Sequence, residues 1–287
     1  MRDAIRNSFA ELSPGHQKVA RFILDRPNDV VTSSMRTVAE RAGTIPSTLV
    51  RFAQHMGYGG WPALKQALVE EMGLAPQQYG ERAKSLVGRA ADETLVGEMF
   101  NVHRFNLQAT ERKNDAAFAR ASRMLEKAPT VHVAGFRACF PVAFSFVYIY
   151  RLLRQSVLLV DGNGGSLEMQ LRGVRPKDAV VVISFVPYSR EALQACKAAR
   201  AAGASVIAIT DSSASPISLM ADETLLFTID SPSFFPSILA AVAVAEALLL
   251  LLASRAGKSG VKRIHRSGSE LFATGAYLPP PRAAGRR

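Results

Sequence analysis

The chain has 287 residues, 48% of them hydrophobic and 21% charged, which excludes wholesale disorder and leaves room for about two domains at ~150 residues each. Its formal net charge of +11 suits an anionic partner such as nucleic acid. Yet residues 1–77 carry nine basic against seven acidic residues, whereas 255–287 carry eight against one.

The two cysteines, Cys139 and Cys196, lie far apart and without metal-ligand spacing, so neither a disulfide framework nor a metal is expected, and a reducing, cytoplasmic setting is. The N-terminal MRDAIRNSFAELS has no apolar stretch of the signal-peptide kind. The longest apolar run, 238–253, is 16 residues long and contains Glu246. It is shorter than the ~20 residues of a membrane span and reads as a buried or interface helix.

In chain order, residues 1–77 predict helices only. Ser13-Pro14 supplies a capping hydroxyl and a first-turn proline for a helix to about Asp25, and Arg26-Pro27-Asn28 ends it. Ser34 caps a second helix over 35–42, stopped by Gly43. Pro46 opens a third, ending at Gly57, and Trp61-Pro62 opens a fourth, to about Met72. Residues 73–80, with Pro76, read as a linker. Helical periodicity then runs over 81–127, as connecting helices packed on the second domain, with 78–114 as a helical linker. From Thr130 short β-branched runs alternate with helices: strands at 131–134, 157–160, 179–185, 206–210 and 224–229, helices at 139–153, 166–172, 190–202 and 235–255. Strand, loop and helix in repetition imply a doubly wound, mainly parallel five-stranded α/β domain over 115–256. Residues 257–287 read as a basic tail, disordered at its Pro279-Pro280-Pro281 tip.

The second and third helices form a helix-turn-helix pattern. Ala39 allows close approach, and Gly43, four residues on, allows a left-handed turn. Ile45, Leu49, Phe52, Ala53 and Met56 predict one apolar face of the third helix. The opposite face offers Ser47, Thr48, Arg51, Gln54 and His55, short donors near the helix start and an arginine a turn later, as a recognition helix presents to base edges and phosphates of double-stranded DNA.

With these residues in view, 12–68 resembles the N-terminal domain of the MurR/RpiR family of bacterial regulators. The features are Ser13 at the helix start, Val38-Ala39 before Gly43, the run Thr48-Leu49-Val50-Arg51-Phe52, and Gly57-Tyr58-x-Gly60-Trp61. Where the family usually has a serine capping the recognition helix, this chain has Ile45, with Thr44 one residue earlier. Residues 115–255 resemble the SIS (sugar isomerase) domain of such regulators, most closely at Ala202-Gly203-Ala204 and at Ile209-Thr210-Asp211-Ser212 followed by Ser215-Pro216. The resemblance implies a DNA-binding transcription regulator, a homodimer or homotetramer, whose SIS domain binds a phosphosugar or related anion as effector, without a cofactor.

The family's first phosphate loop usually reads Gly-x-Gly-x-Ser; here it is Gly135-Phe136-Arg137-Ala138-Cys139. The second usually reads Ser-x-Ser-Gly-x-Thr-x-Glu; here Ser184 and Glu191 remain, Val186-Pro187 replaces Ser-Gly, and Ser189 stands for the threonine. Two readings stay open. Either Arg137 supplies the positive charge for an anion held with Ser184 and Ser189, or the pocket serves another ligand or none. Asp161-Gly162-Asn163-Gly164-Gly165 lacks the Gly-Lys-Ser/Thr ending of a nucleotide loop and reads as a plain loop. A sugar-phosphate isomerase is the enzymatic alternative, with Glu168, Glu191 and His265 as candidate bases, while His132 lies in a strand and reads as structural. A third reading leaves the domain to oligomerisation alone, through the Ala- and Leu-rich helix 235–255.

Overall fold

A computed structural model describes residues 1–71, 79–114 and 116–278. The chain divides into two compact units, Met1–Gln77 and Gln78–Arg287.

The first unit is helical throughout: α1 (Arg2–Ser8), α2 (Pro14–Asp25), α3 (Pro27–Thr32), α4 (Met35–Arg41), α5 (Pro46–His55) and α6 (Trp61–Glu71). The capping chemistry expected from the sequence is present. Ser13 Oγ accepts from the His16 amide and Ser34 Oγ from the Thr37 amide, each closing the first turn of its helix. At the end of α4, Gly43 takes φ +64°. The Gly43 amide donates to Glu40 and the Thr44 amide to Ala39, a double closure that turns the chain sharply into α5. Gly57 ends α5 the same way.

The core gathers around α5. Leu49, Phe52 and Ala53 are fully buried against Val19, Ala20 and Ile23 of α2, Val38 and Ala39 of α4, and Leu64 and Leu68 of α6. Removing a phenyl ring such as that of Phe52 from a core of this kind costs ~3–5 kcal/mol. Two features go beyond the sequence-based expectation. α1 adds Ile5 to this core, and the Arg26-Pro27-Asn28 stop opens another helix, α3, with Pro27 in its first turn. Ile45 corrects the predicted apolar face: it is 60% exposed, because it precedes α5 as its capping residue instead of lying on the buried stripe.

The second unit begins with α7 (Tyr79–Val87), α8 (Leu95–Arg112) and α9 (Ala117–Lys127). Then come β1 (Val131–Gly135), α10 (Phe140–Leu153), β2 (Val157–Val160), α11 (Leu167–Arg172), β3 (Ala179–Ile183), α12 (Arg190–Ala201), β4 (Ser205–Thr210), β5 (Glu223–Leu226), α13 (Leu239–Arg255) and α14 (Gly257–Ala273). The five strands are all parallel in the order β2-β1-β3-β4-β5. Both faces are covered, as a parallel sheet requires. Along β3, Ala179, Val181 and Ile183 face the layer of α9, α10 and α13, while Val180 and Val182 face the layer of α11 and α12.

The helices expected as a 78–114 linker are part of this second unit. The side chain of Asn114 on the α8–α9 turn donates to the Leu226 carbonyl and accepts from the Leu226 amide, and Asn106 of α8 donates to the Asp230 carbonyl. The Asn114 amide occupies the outer edge of β5, where another strand would otherwise pair, and Asn106 holds the segment that follows it. α13, read as a buried or interface helix, is buried on one side. Ala240, Ala241, Val244, Ala245, Leu248, Leu249 and Leu252 are buried in the sheet's own core. The basic tail is also corrected: 257–273 is the helix α14, held on α10 by Arg263 Nε to the Leu153 carbonyl (2.7 Å) and Ser267 Oγ to the Leu152 carbonyl (3.2 Å). The 279–281 tip, and most of 73–80, lie outside the described residues. Among the described residues no single helix is long and apolar enough to cross a membrane.

Gly260 sets the approach of α14. A Cβ there would lie 2.2 Å from Ala256 Cβ and 3.1 Å from Leu153 Cδ1. A Gly260→Leu chain should therefore release α14 from α10, seen as new protease cleavage within 257–273 while the sheet's thermal transition persists. An α14 that resists digestion in that variant would show that the close approach is not required.

Candidate functional site

The first candidate surface is the outer face of α5. Leu49, Phe52 and Ala53 point into the core, so helical geometry turns Ser47, Arg51, Gln54 and His55 to solvent. Thr48 is half-buried, because the start of α2 runs beside it: a Cβ at Gly15 would sit 3.5 Å from Thr48 Cγ2. One turn further, the His16 ring of α2 meets the Phe52 ring edge-on at 5.6 Å between centroids and lies 5.3 Å from the His55 ring. Sequence reasoning alone misses His16. Its only signal is its place in the first turn of α2, which says nothing about α5. Burial, and then the nearby His55 and Arg51, hold the His16 imidazole below its ordinary pKa.

The second candidate lies at the carboxyl ends of the strands. From β1 the order runs one way to β2 and the other way to β3, β4 and β5. The loops after β1 and β3 therefore part, and open α/β sheets bind their ligands in such a crevice. The loop after β1 is tightly constrained. A Cβ on Gly135 would stand 2.6 Å from Ala143 Cβ and 2.8 Å from the Cys139 carbonyl oxygen, so glycine lets α10 start directly over the strand end. Arg137 takes φ +53°, a left-handed conformation for a residue with a side chain. Its guanidinium extends over the loop and donates from Nη2 to Glu191 Oε1 at 3.1 Å.

Among the six effector candidates, it is Arg137 and Glu191 that a direct side-chain contact joins across the β1 and β3 loops. Arg137 is 74% exposed, and Glu191 sits in the first turn of α12. The Glu191 carboxyl is held below its ordinary pKa, first by its own backbone amide and further by Arg137 and Ser189. Glu191 Oε2 is enclosed without a hydrogen-bond partner, an acceptor that a ligand hydroxyl or amine could satisfy. Ser189 is occupied otherwise, because its Oγ caps α12 by accepting from the Ala192 amide at 3.1 Å. Ser184 is buried at the end of β3, and Cys139 is buried too, its thiol directed at the Phe185 backbone.

Two further residues join these loops, Tyr188, which the sequence does not single out, and Asp211 at the end of β4. Tyr188 OH donates to Asp211 Oδ1 at 2.8 Å, and Thr210 Oγ1 donates to the same oxygen at 3.2 Å. Burial and then the Asp211 charge push the Tyr188 phenol up, so it stays a donor. Asp211 also acts electrostatically on the Cys139 thiol of the loop after β1. Asp211 had a legible signal, its place at a strand's carboxyl end. Tyr188 had none, because its partner lies in another loop.

Against known proteins, the profile of the rpiR-family helix-turn-helix domain matches residues 1–74, and that of the SIS domain matches 124–251. The sugar isomerase domain of an RpiR transcription factor from Sphaerobacter thermophilus superposes with a TM-score of 0.59 at 24% identity, covering 62% of this chain and 99% of that one. The Vibrio vulnificus NanR protein, complexed with ManNAc-6P, superposes with a TM-score of 0.56 at 17% identity over 95% of this chain and 98% of that one. At these identities the likeness is one of fold.

Burial pushes both thiols up to about 12, so the thiolate fraction near pH 8 is on the order of 10⁻⁴. Cys139 and Cys196 should ignore a thiol-exchange reagent in the native chain and react together once urea unfolds it. Rapid labelling of Cys139 under native conditions would mean that its loop opens to solvent.

Proposed function

The chain belongs to the rpiR family of helix-turn-helix regulators that carry a SIS domain, and we propose that this SIS domain senses a small anionic metabolite of the phosphosugar class and so sets how tightly α5 holds operator DNA. The observation that carries the reading is the β1/β3 strand-order reversal, with Arg137 on a left-handed backbone in the loop after β1 and its guanidinium exposed beside Glu191 at the start of α12. The guanidinium is permanently charged and forked, suited to two oxygens of a phosphate. It supplies the cation in a loop whose other polar groups, Ser184 and Ser189, are buried or already capping. The ManNAc-6P bound to NanR supports a ligand of this class here.

The role is sensing and not catalysis. Moving a proton between sugar carbons needs a base of matched pKa, whereas Glu191 is held charged and tied to Arg137. His265 sits on α14, which docks at the far end of α10 from the crevice. Operator recognition falls to Ser47, Thr48, Arg51, Gln54 and His55, with Arg51 at the centre of the exposed face. A twofold assembly suits a palindromic operator. α10 offers a surface for it, because Phe140, Phe144, Tyr148 and Ile149 are exposed along one side. A cytoplasmic setting follows from action on DNA.

Arg51→Ala should weaken specific binding by about 1–3 kcal/mol, roughly five- to hundredfold, measured by fluorescence anisotropy on a duplex selected from a randomised pool. Unchanged binding would remove α5 as the reading helix. A sugar phosphate at ~100-fold over its Kd should add about 2.7 kcal/mol of stability, seen as a raised Tm, and Arg137→Ala should abolish the rise. Turnover of a phosphosugar that is lost in Glu191→Gln would favour the isomerase instead.

A further inference from the structure

The reading of α5 as the DNA-facing helix leaves one neighbour unexplained, the histidine that α2 places against it. Thr48, Arg51 and His55 succeed one another at three- and four-residue spacing, so they form one stripe along α5. The start of α2 runs alongside this stripe, with Gly15 beside Thr48 and His16 against Phe52 and His55. The contact with Phe52, a fully buried core residue, fixes the His16 ring. His55 is exposed and fixed from one side only.

Two imidazoles 5.3 Å apart beside an arginine is a poor arrangement for the free protein. The groups that act on His16 are His55 and Arg51, both cationic when charged. On its own helix, Lys18 reaches away to the Gly43 carbonyl at 3.4 Å. A structural histidine at this position would be expected to face a carboxylate or a carbonyl. Here the charge in its surroundings is of like sign, at the edge of a surface meant for a polyanion. Most of the unit's other cations are engaged elsewhere: Arg2 and Arg6 are paired to Glu71 and Asp3, Arg26 and Arg41 to Asp29, and Lys65 to the Ser33 carbonyl.

Building on the assignment of α5 as the recognition helix, we propose that His16 and His55, flanked by the base-reading Arg51, form a phosphate-binding site that clamps the DNA backbone beside the bases α5 reads. One phosphodiester oxygen pair supplies the negative charge that this cluster lacks. The His16 imidazole, set between His55 and Arg51, becomes a better proton acceptor when the phosphate arrives, so binding takes up a proton from solvent. Free His16 sits below its ordinary pKa, so its protonation costs free energy near neutrality and less as pH falls. Operator affinity therefore rises as pH is lowered through the histidine range and levels off once the His16 ring is charged in the free protein. Bases read by Ser47 and Gln54 are not part of this clamp, so it tightens specific and random duplex alike.

The test uses the full chain, at constant ionic strength, with a selected duplex and a random-sequence duplex of equal length as probes. Between about pH 8 and pH 6 the wild type should gain roughly five- to tenfold in affinity for both duplexes, the effect of one imidazole pKa moved by ~1 unit. His16→Gln should lose most of that gain, and His55→Gln, a surface change that spares the core, should weaken binding to both duplexes at low pH. The salt dependence of binding should flatten in both at low pH, by about one phosphate contact. If His16→Gln keeps the wild-type pH profile, or His55→Gln binds as wild type at low pH, while Arg51→Ala loses specific binding, the clamp is overturned and the recognition helix stands. If Arg51→Ala also binds as wild type, the assignment of α5 falls and the clamp with it.

Discussion

The second unit depends on one constraint: a parallel sheet cannot be left open on either face, and its strand order must reverse somewhere. β1 hydrogen-bonds to β2 on one side and β3 on the other, so the chain leaves the first strand in one direction and returns on the other. Helices then cover both faces, and the loops after β1 and β3 separate. Gly135 lets α10 begin immediately over the strand end, where any side chain would collide with Ala143 and Cys139. The crevice, the exposed Arg137 and its contact with Glu191 all follow from that geometry.

The first unit solves a different problem. α5 must bury one face completely and present the other freely. Leu49, Phe52 and Ala53 do the first, and the two glycine-terminated helix ends at Gly43 and Gly57 fix its length and direction. Because Phe52 anchors α5 from within, it also anchors what touches it. His16 reaches the exposed side of α5 through a core residue, which joins the packing of α2 to the chemistry of the surface.

Departures from the expected phosphate loops become intelligible at this level. Losing the usual serine at Cys139 does not leave an unsatisfied hydroxyl site, because that position is buried and packs a thiol on the Phe185 backbone. Ser189 keeps its hydroxyl but uses it to cap α12. Polar capacity moves to Tyr188 and Asp211 in the loops after β3 and β4, and positive charge to Arg137.

Much of this was written locally in the chain. Ser13-Pro14, Ser34, Gly43 and Gly57 mark helix ends by capping and turn chemistry that acts within a few residues, and β-branched runs after Thr130 mark strands by period. The exposed set on α5 was legible for the same reason, because a helix's period alone decides which residues share a face. What the sequence could not decide was every pairing between segments. Nothing near Ile45 says that it precedes the buried stripe, and the apolar run 238–253 left open whether it packs on its own sheet or on a partner. The basic run after Arg255 does not announce that Gly260 lets it dock as α14, and neither His16 nor Tyr188 carries a local mark of its partner. Those outcomes rest on contacts between residues that are distant in the chain, and only packing brings them within reach.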